Sequence, residues 1–105
     1  MEEPQEFPKW KPHYRTEEWF DGTSRRSWEK LRYATSSFSK NKTVRKMIME
    51  KCNYKCAICG ATEELQIDHI KSVYYAFHHK EFIPKLNTYD NMQILCKSCN
   101  SSKAP

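Results

Sequence analysis

The sequence predicts a small α+β domain held together by zinc. Three observations carry that reading: two Cys-x-x-Cys pairs, Cys56/Cys59 and Cys96/Cys99; apolar residues at helical spacing before the first pair; and two stretches of strand character, residues 65–70 and 91–96. A chain of 105 residues buries too little apolar surface for a generous core, so a metal is the expected supplement to its folding energy.

Composition narrows the function classes. A hydrophobic fraction of 38% and a mean hydropathy of −0.92 exclude a membrane span. The acidic start Met1-Glu-Glu-Pro-Gln-Glu lacks the basic and apolar regions of a signal peptide, so a cytoplasmic protein is expected. The formal charge of +5 is unevenly spread: residues 22–60 carry ten Lys/Arg against two Asp/Glu. That block is a polyanion-attracting surface, against the plainer reading of a solvated basic face.

Residues 1–22 place Pro4, Pro8, Pro12 and Gly22 among Trp10, Tyr14, Trp19 and Phe20, which no helix sustains. An extended arm packed over the domain through its rings is expected, with stacking on nucleic acid as the other reading. Thr23 or Ser24 can cap a helix running to about Tyr33, with Trp28, Leu31 and Ala34 as its apolar stripe. After a polar break at 36–40, Asn41 can cap a second helix with the stripe Val44, Met47 and Ile48, and Asn53 suits its stop. Residues 23–53 are thus read as basic amphipathic helices leaning on the core, with Arg25, Arg26 and Arg45 facing outward.

From Tyr54 the pattern turns to strand, knuckle and strand, with Gly60 closing the first knuckle. Residues 71–90 suggest a short helix or packed loop ended by Pro84, and Asn87 and Asp90 suit a turn. Residues 91–96 then read as the second strand and 97–103 as the opening of a terminal helix.

The cysteine pairs are separated by 36 residues, ordinary when a functional loop is inserted between two knuckles. Four soft ligands in a closed set point to structural Zn²⁺ at Cys56, Cys59, Cys96 and Cys99. A redox Cys-x-x-Cys would leave the other pair unexplained. Cys52 could compete as a ligand but is read as a spectator thiol near a helix end. Between the knuckles, Asp68 and His69, with Asn100 just after the second, have the chemistry of an open, hard-metal site.

The segments Asp68-His69-Ile70, Asn91-Met-Gln-Ile-Leu-Cys96 and Cys99-Asn100-Ser-Ser-Lys103 resemble the HNH endonuclease family, in its branch with a four-cysteine zinc site. The resemblance covers roughly residues 52–104 and implies a ββα-metal core within residues 54–105. It further implies hydrolysis of DNA phosphodiesters by one divalent metal and one histidine. Asp68 and Asn100 would then hold a catalytic Mg²⁺ or Mn²⁺, for which a carboxylate and an amide oxygen are a suitably hard pair. His69 would be the general base. Asn91 would pin the loop that carries His69, and Lys71 and Lys103 would contact phosphate. Neighbours on a strand point to opposite faces, so Asp68 and His69 cannot both face one ion, which suits in-line attack. His78 and His79 match no family position and read as surface residues; His13 has no role.

The expected partner is DNA, with no small-molecule cofactor and no membrane. A monomer is expected, with a dimer left open, and a single site would nick one strand. The competing reading is a non-catalytic, zinc-stabilised nucleic-acid-binding module in which Asp68 and His69 merely serve turns.

Overall fold

Helices begin where the sequence supplies a capping oxygen, and the sheet forms where its two alternating stretches meet. The computed structural model describes residues 4–10 and 22–103, so Pro12, His13, Tyr14, Trp19 and Phe20 of the expected arm lie outside the described residues. Helix α1 spans Arg25–Ser39, its first turn closed by the Ser24 hydroxyl accepting from the Ser27 amide. The expected break at 36–40 is therefore a correction: the helix runs on to Ser39. Phe38 packs edge-on against Phe7 at 6.2 Å, and the Ser39 hydroxyl bonds back to the Thr35 carbonyl, so packing overrides the weak helix propensity of the serines.

Helix α2 spans Lys42–Lys51, with the Asn41 side chain accepting from Thr43 and Val44 amides. Asn53 and Tyr54 adopt left-handed backbone at φ 55° and 58°, which turns the chain out of the helix. The expected strand at Tyr54 is absent among the described residues. There the Cys56 amide donates to Ala61 O and the Gly60 amide to Cys56 O, a tight knuckle that Gly60 closes at φ 79°.

Strands β1 (Leu65–His69) and β2 (Met92–Cys96) pair antiparallel, from Leu65 opposite Cys96 to His69 opposite Met92. Between them lie α3 (Val73–His78), α4 (Ile83–Leu86) and two 3-10 turns, Lys80–Phe82 and Tyr89–Asn91. Pro84 sits in the first turn of α4, where its missing N–H costs nothing, so it opens a helix instead of ending one. The terminal helix α5 is Lys97–Ser102. Among the described residues no helix is long and apolar enough to cross a membrane.

The register assigns Gln66, Asp68, Gln93 and Leu95 to one face of the hairpin and Leu65, Ile67, His69, Met92 and Ile94 to the other. On the second face, α2 buries Val44 and Ile48 against Met92 and Ile94, joined by Tyr89 and by Phe7. A separate cluster of Leu31, Ala76, Phe77, Ile83 and Leu86 closes α1 over α3 and α4. Lys51 staples α2 to the chain entering β2: its ammonium donates to the carbonyls of Tyr89 (2.7 Å) and Met92 (2.8 Å) and lies 4.9 Å over the Tyr89 ring.

The four knuckle sulfurs all lie within 4.8 Å of one another, and Cys59 Sγ stands 3.7 Å from Cys96 Sγ. Zn–S bonds of about 2.3 Å make a tetrahedron with edges of roughly 3.8 Å, so the donor set fits Zn²⁺. Cys52 stays out of the set and packs against the α2 cluster. The thiols are electrostatically at odds. Backbone N–H groups, that of Cys59 foremost, lower Cys56 to about 6, whereas hydrogen bonding to neighbouring sulfurs, Cys96 first, pushes Cys99 up to about 12. A bound dication removes that conflict.

Cys99→Ser is expected to unfold the chain rather than merely weaken it, because structural zinc contributes folding free energy. Circular dichroism alongside zinc content checks this, and a zinc-free variant of native helicity would contradict it. Lys51→Ala should leave two carbonyls without their shared donor and cost about 2 kcal/mol. That is read as a lower urea midpoint in zinc-loaded protein at unchanged slope.

Candidate active site

Helix α5 starts immediately after Cys96, so the sulfur cluster that anchors Cys96 and Cys99 also sets where the next side chain, Asn100, stands over β1. There the Asn100 amide donates to Gln66 Oε1 at 2.7 Å. Two residues along the same strand face, Asp68 is buried, and its Oδ2 accepts from Gln93 Nε2 at 3.0 Å and from Lys103 Nζ at 2.7 Å. Lys103 also donates to the carbonyls of His69 and Ile70. The sequence reading put Lys103 on phosphate; here its ammonium neutralises Asp68.

These bonds leave Asp68 Oδ1 and Asn100 Oδ1 without a hydrogen-bond partner among the described residues. Gln66 orients the Asn100 amide and Gln93 orients the carboxylate. One anionic and one neutral hard oxygen on the same face fit a divalent cation of the Mg²⁺ or Mn²⁺ type.

His69 ends β1 and turns to the opposite face. Its Nε2 lies 2.8 Å from Asn87 Oδ1, and Asn87 Nδ2 in turn donates to Thr35 Oγ1 of α1 at 3.3 Å. The imidazole lines a groove of about 540 Å³ between α1 and β1, together with Trp28, Arg32, Tyr33 and Ile67. Burial lowers the His69 pKa below its ordinary 6.5, against the smaller opposing effects of the Asn87 hydrogen bond and the Asp68 charge. The ring is therefore neutral at neutral pH, the form a base requires.

Asn91 is buried and spends its whole carboxamide on the loop that follows His69. Its Nδ2 donates to the carbonyls of Leu86 (2.9 Å) and Lys71 (3.0 Å), and its Oδ1 accepts from the Lys71 amide at 2.9 Å. With the Ile70 amide on Asn91 O, both ends of the 70–91 loop are tied to one residue.

The remaining basic candidates stand apart from this centre. Lys71 extends over the Tyr75 ring at 4.6 Å, Arg25 pairs with Glu29 at 3.0 Å, Arg26 is exposed, and Arg45 donates to Leu65 O at 3.3 Å. His78 and His79 are exposed and lie against Tyr74 and Tyr75. Four polar residues were missed by sequence reasoning: Gln66, Gln93, Asn87 and Thr35. Gln66 carried a signal, since it sits two positions before Asp68 on an alternating strand. Gln93 becomes visible only with the register, and Asn87, in the least patterned stretch, resembles any turn residue.

Residues 56–105 match the family model described as HNH endonuclease. No curated protein and no solved structure matches the chain. The matched segment contains the clustered cysteines and Asp68, His69, Asn91 and Asn100, whereas α1 and α2 precede it. The family implies a nuclease or nucleic-acid-binding function, and HNH nuclease domains act on DNA. Match, zinc-type cluster and α+β hairpin agree: residues 56–105 of this chain are similar to the HNH endonuclease family.

Proposed function

We propose that the protein is a divalent-metal-dependent endonuclease that hydrolyses DNA phosphodiester bonds, nicking one strand per site. The observation that carries this reading is the placement of the two free oxygens of Asp68 and Asn100 beside one face of β1 and of His69 on the other. A phosphodiester laid along the end of β1 meets both faces, as in-line displacement requires. His69 takes the proton from the attacking water on its side, while Asp68 and Asn100 hold the cation on the other. Bound there, a divalent cation would stabilise charge on the phosphoryl and leaving oxygens. Lys103, paired with Asp68 Oδ2 in this structure, would serve as a donor to a substrate phosphate beside the two free oxygens.

Residues 23–53 supply the basic approach surface in this reading, with Arg25, Arg26 and Arg45 exposed, and residues 54–105 form the cutting unit. Its association with DNA is accordingly salt-dependent.

A second reading is favoured by one observation: the Lys103–Asp68 ion pair gives the carboxylate a countercharge from within the chain. A zinc-stabilised DNA-binding module without catalysis would keep that pair closed.

With supercoiled plasmid and Mg²⁺ or Mn²⁺, the native chain should produce relaxed circles, and His69→Ala should slow this by about 10²- to 10⁴-fold, the usual share of a general base. Equal rates would remove His69 from the mechanism. Titrating Mn²⁺ into zinc-loaded protein by calorimetry or electron paramagnetic resonance should show one further site that Asp68→Ala abolishes. Absence of that site in the native chain selects the binding module.

A further inference from the structure

His69 is held by a chain of side chains that reaches outside the matched segment. Its Nε2 stands 2.8 Å from Asn87 Oδ1, Asn87 Nδ2 stands 3.3 Å from Thr35 Oγ1, and Asn87 and Thr35 are only 2% and 3% exposed. An amide oxygen can only accept, so in this amide orientation the His69 nitrogen facing Oδ1 carries the proton. The other ring nitrogen, Nδ1, has no partner among the described residues, and the ring borders the open groove between α1 and β1. The strand alone does not fix the imidazole: His69 is its last residue, and the ring could rotate about its terminal torsion without Asn87.

We infer that Asn87 and Thr35 are positioning residues that lock His69 as the Nε2–H tautomer, leaving the Nδ1 lone pair to receive the proton of the attacking water. This deepens the nuclease reading and rests on His69 being the base. Asn87 aims the ring, while Thr35 Oγ1 holds the Asn87 side chain in place by accepting from its Nδ2. Reversal of that amide would present an N–H donor to His69 Nε2 and force the proton onto Nδ1, disabling the base without moving any atom far. Helix α1 would thereby contribute to the reaction through a hydroxyl that never meets the substrate.

The test has a spectroscopic arm and a kinetic arm, both on the full zinc-loaded chain. Long-range ¹H–¹⁵N spectra, with the His69 ring assigned by its loss in His69→Gln, should show Nε2–H at neutral pH in the native protein; an Nδ1–H ring overturns the inference. Asn87→Leu should give a mixed or Nδ1–H tautomer and lower kcat on the order of 10²-fold, the usual cost of misplacing a catalytic group, with KM within about threefold. Asn87→Asp, which still accepts from Nε2–H, should restore most of the rate. Thr35→Val, which keeps volume, provides a gentler variant if Asn87→Leu fails to fold, and should lower kcat with zinc content unchanged.

The two ideas fail differently. A fully active His69→Ala removes the base assignment whatever the tautomer, whereas an inactive His69→Ala beside a fully active, Nε2–H-free Asn87→Leu removes only the positioning role.

Discussion

Four sulfurs gathered within 4.8 Å are the constraint on which the rest of the structure depends. Four thiolates this close would repel one another, and a bound dication would offset that repulsion. What the cluster holds is otherwise weak. Helix α5 has six residues and buries none of them, too short and too exposed to persist on its own nucleation. Tied through Cys96 and Cys99, it is instead a fixed bracket from which Asn100 reaches Gln66 and Lys103 reaches Asp68.

The hairpin then acts as a plate with two chemistries. Alternation along β1 sends Asp68 one way and His69 the other, and the loop after His69 could blur that separation if it moved. Asn91 prevents this with three side-chain bonds to Lys71 and Leu86, and Lys51 holds the Asn91 neighbourhood from below through the carbonyls of Tyr89 and Met92. These contacts are buried or part-buried polar ones, costly to lose and geometrically demanding to keep.

Much of this was legible from local pattern. Both helix caps, Ser24 and Asn41, and the alternation of residues 65–70 are short-range signals, and the Cys-x-x-Cys spacing carries its own chemistry. What failed was whatever depended on distant partners. The serines of 36–39 look like a break until Phe38 is seen to meet Phe7, and Pro84 looks like a stop until the preceding chain is seen to enter a helix there. Phe7, 2% exposed, was indistinguishable from any other ring of a proline-rich arm. The catalytic candidates were visible as residue types in order, but the groups that orient them, Gln93 across the sheet and Thr35 at a separation of 52 positions from Asn87, exist only in three dimensions.

The environment of Asp68 demands a countercharge. At 8% exposure, a carboxylate without a countercharge would be expensive, and Gln93 alone, a neutral donor, offsets little of that cost. Positive charge must therefore stand beside Oδ2. In this structure the charge is an ammonium at the end of the last helix, held by one carboxylate oxygen and two backbone carbonyls, an all-oxygen surround of the kind that also suits a hard metal ion. Lys103 follows the last turn of α5 on extended backbone, which carries its long side chain back to the end of β1. The same burial that forbids a bare Asp68 thus ties the carboxylate to Lys103, and with it the end of α5 to β1.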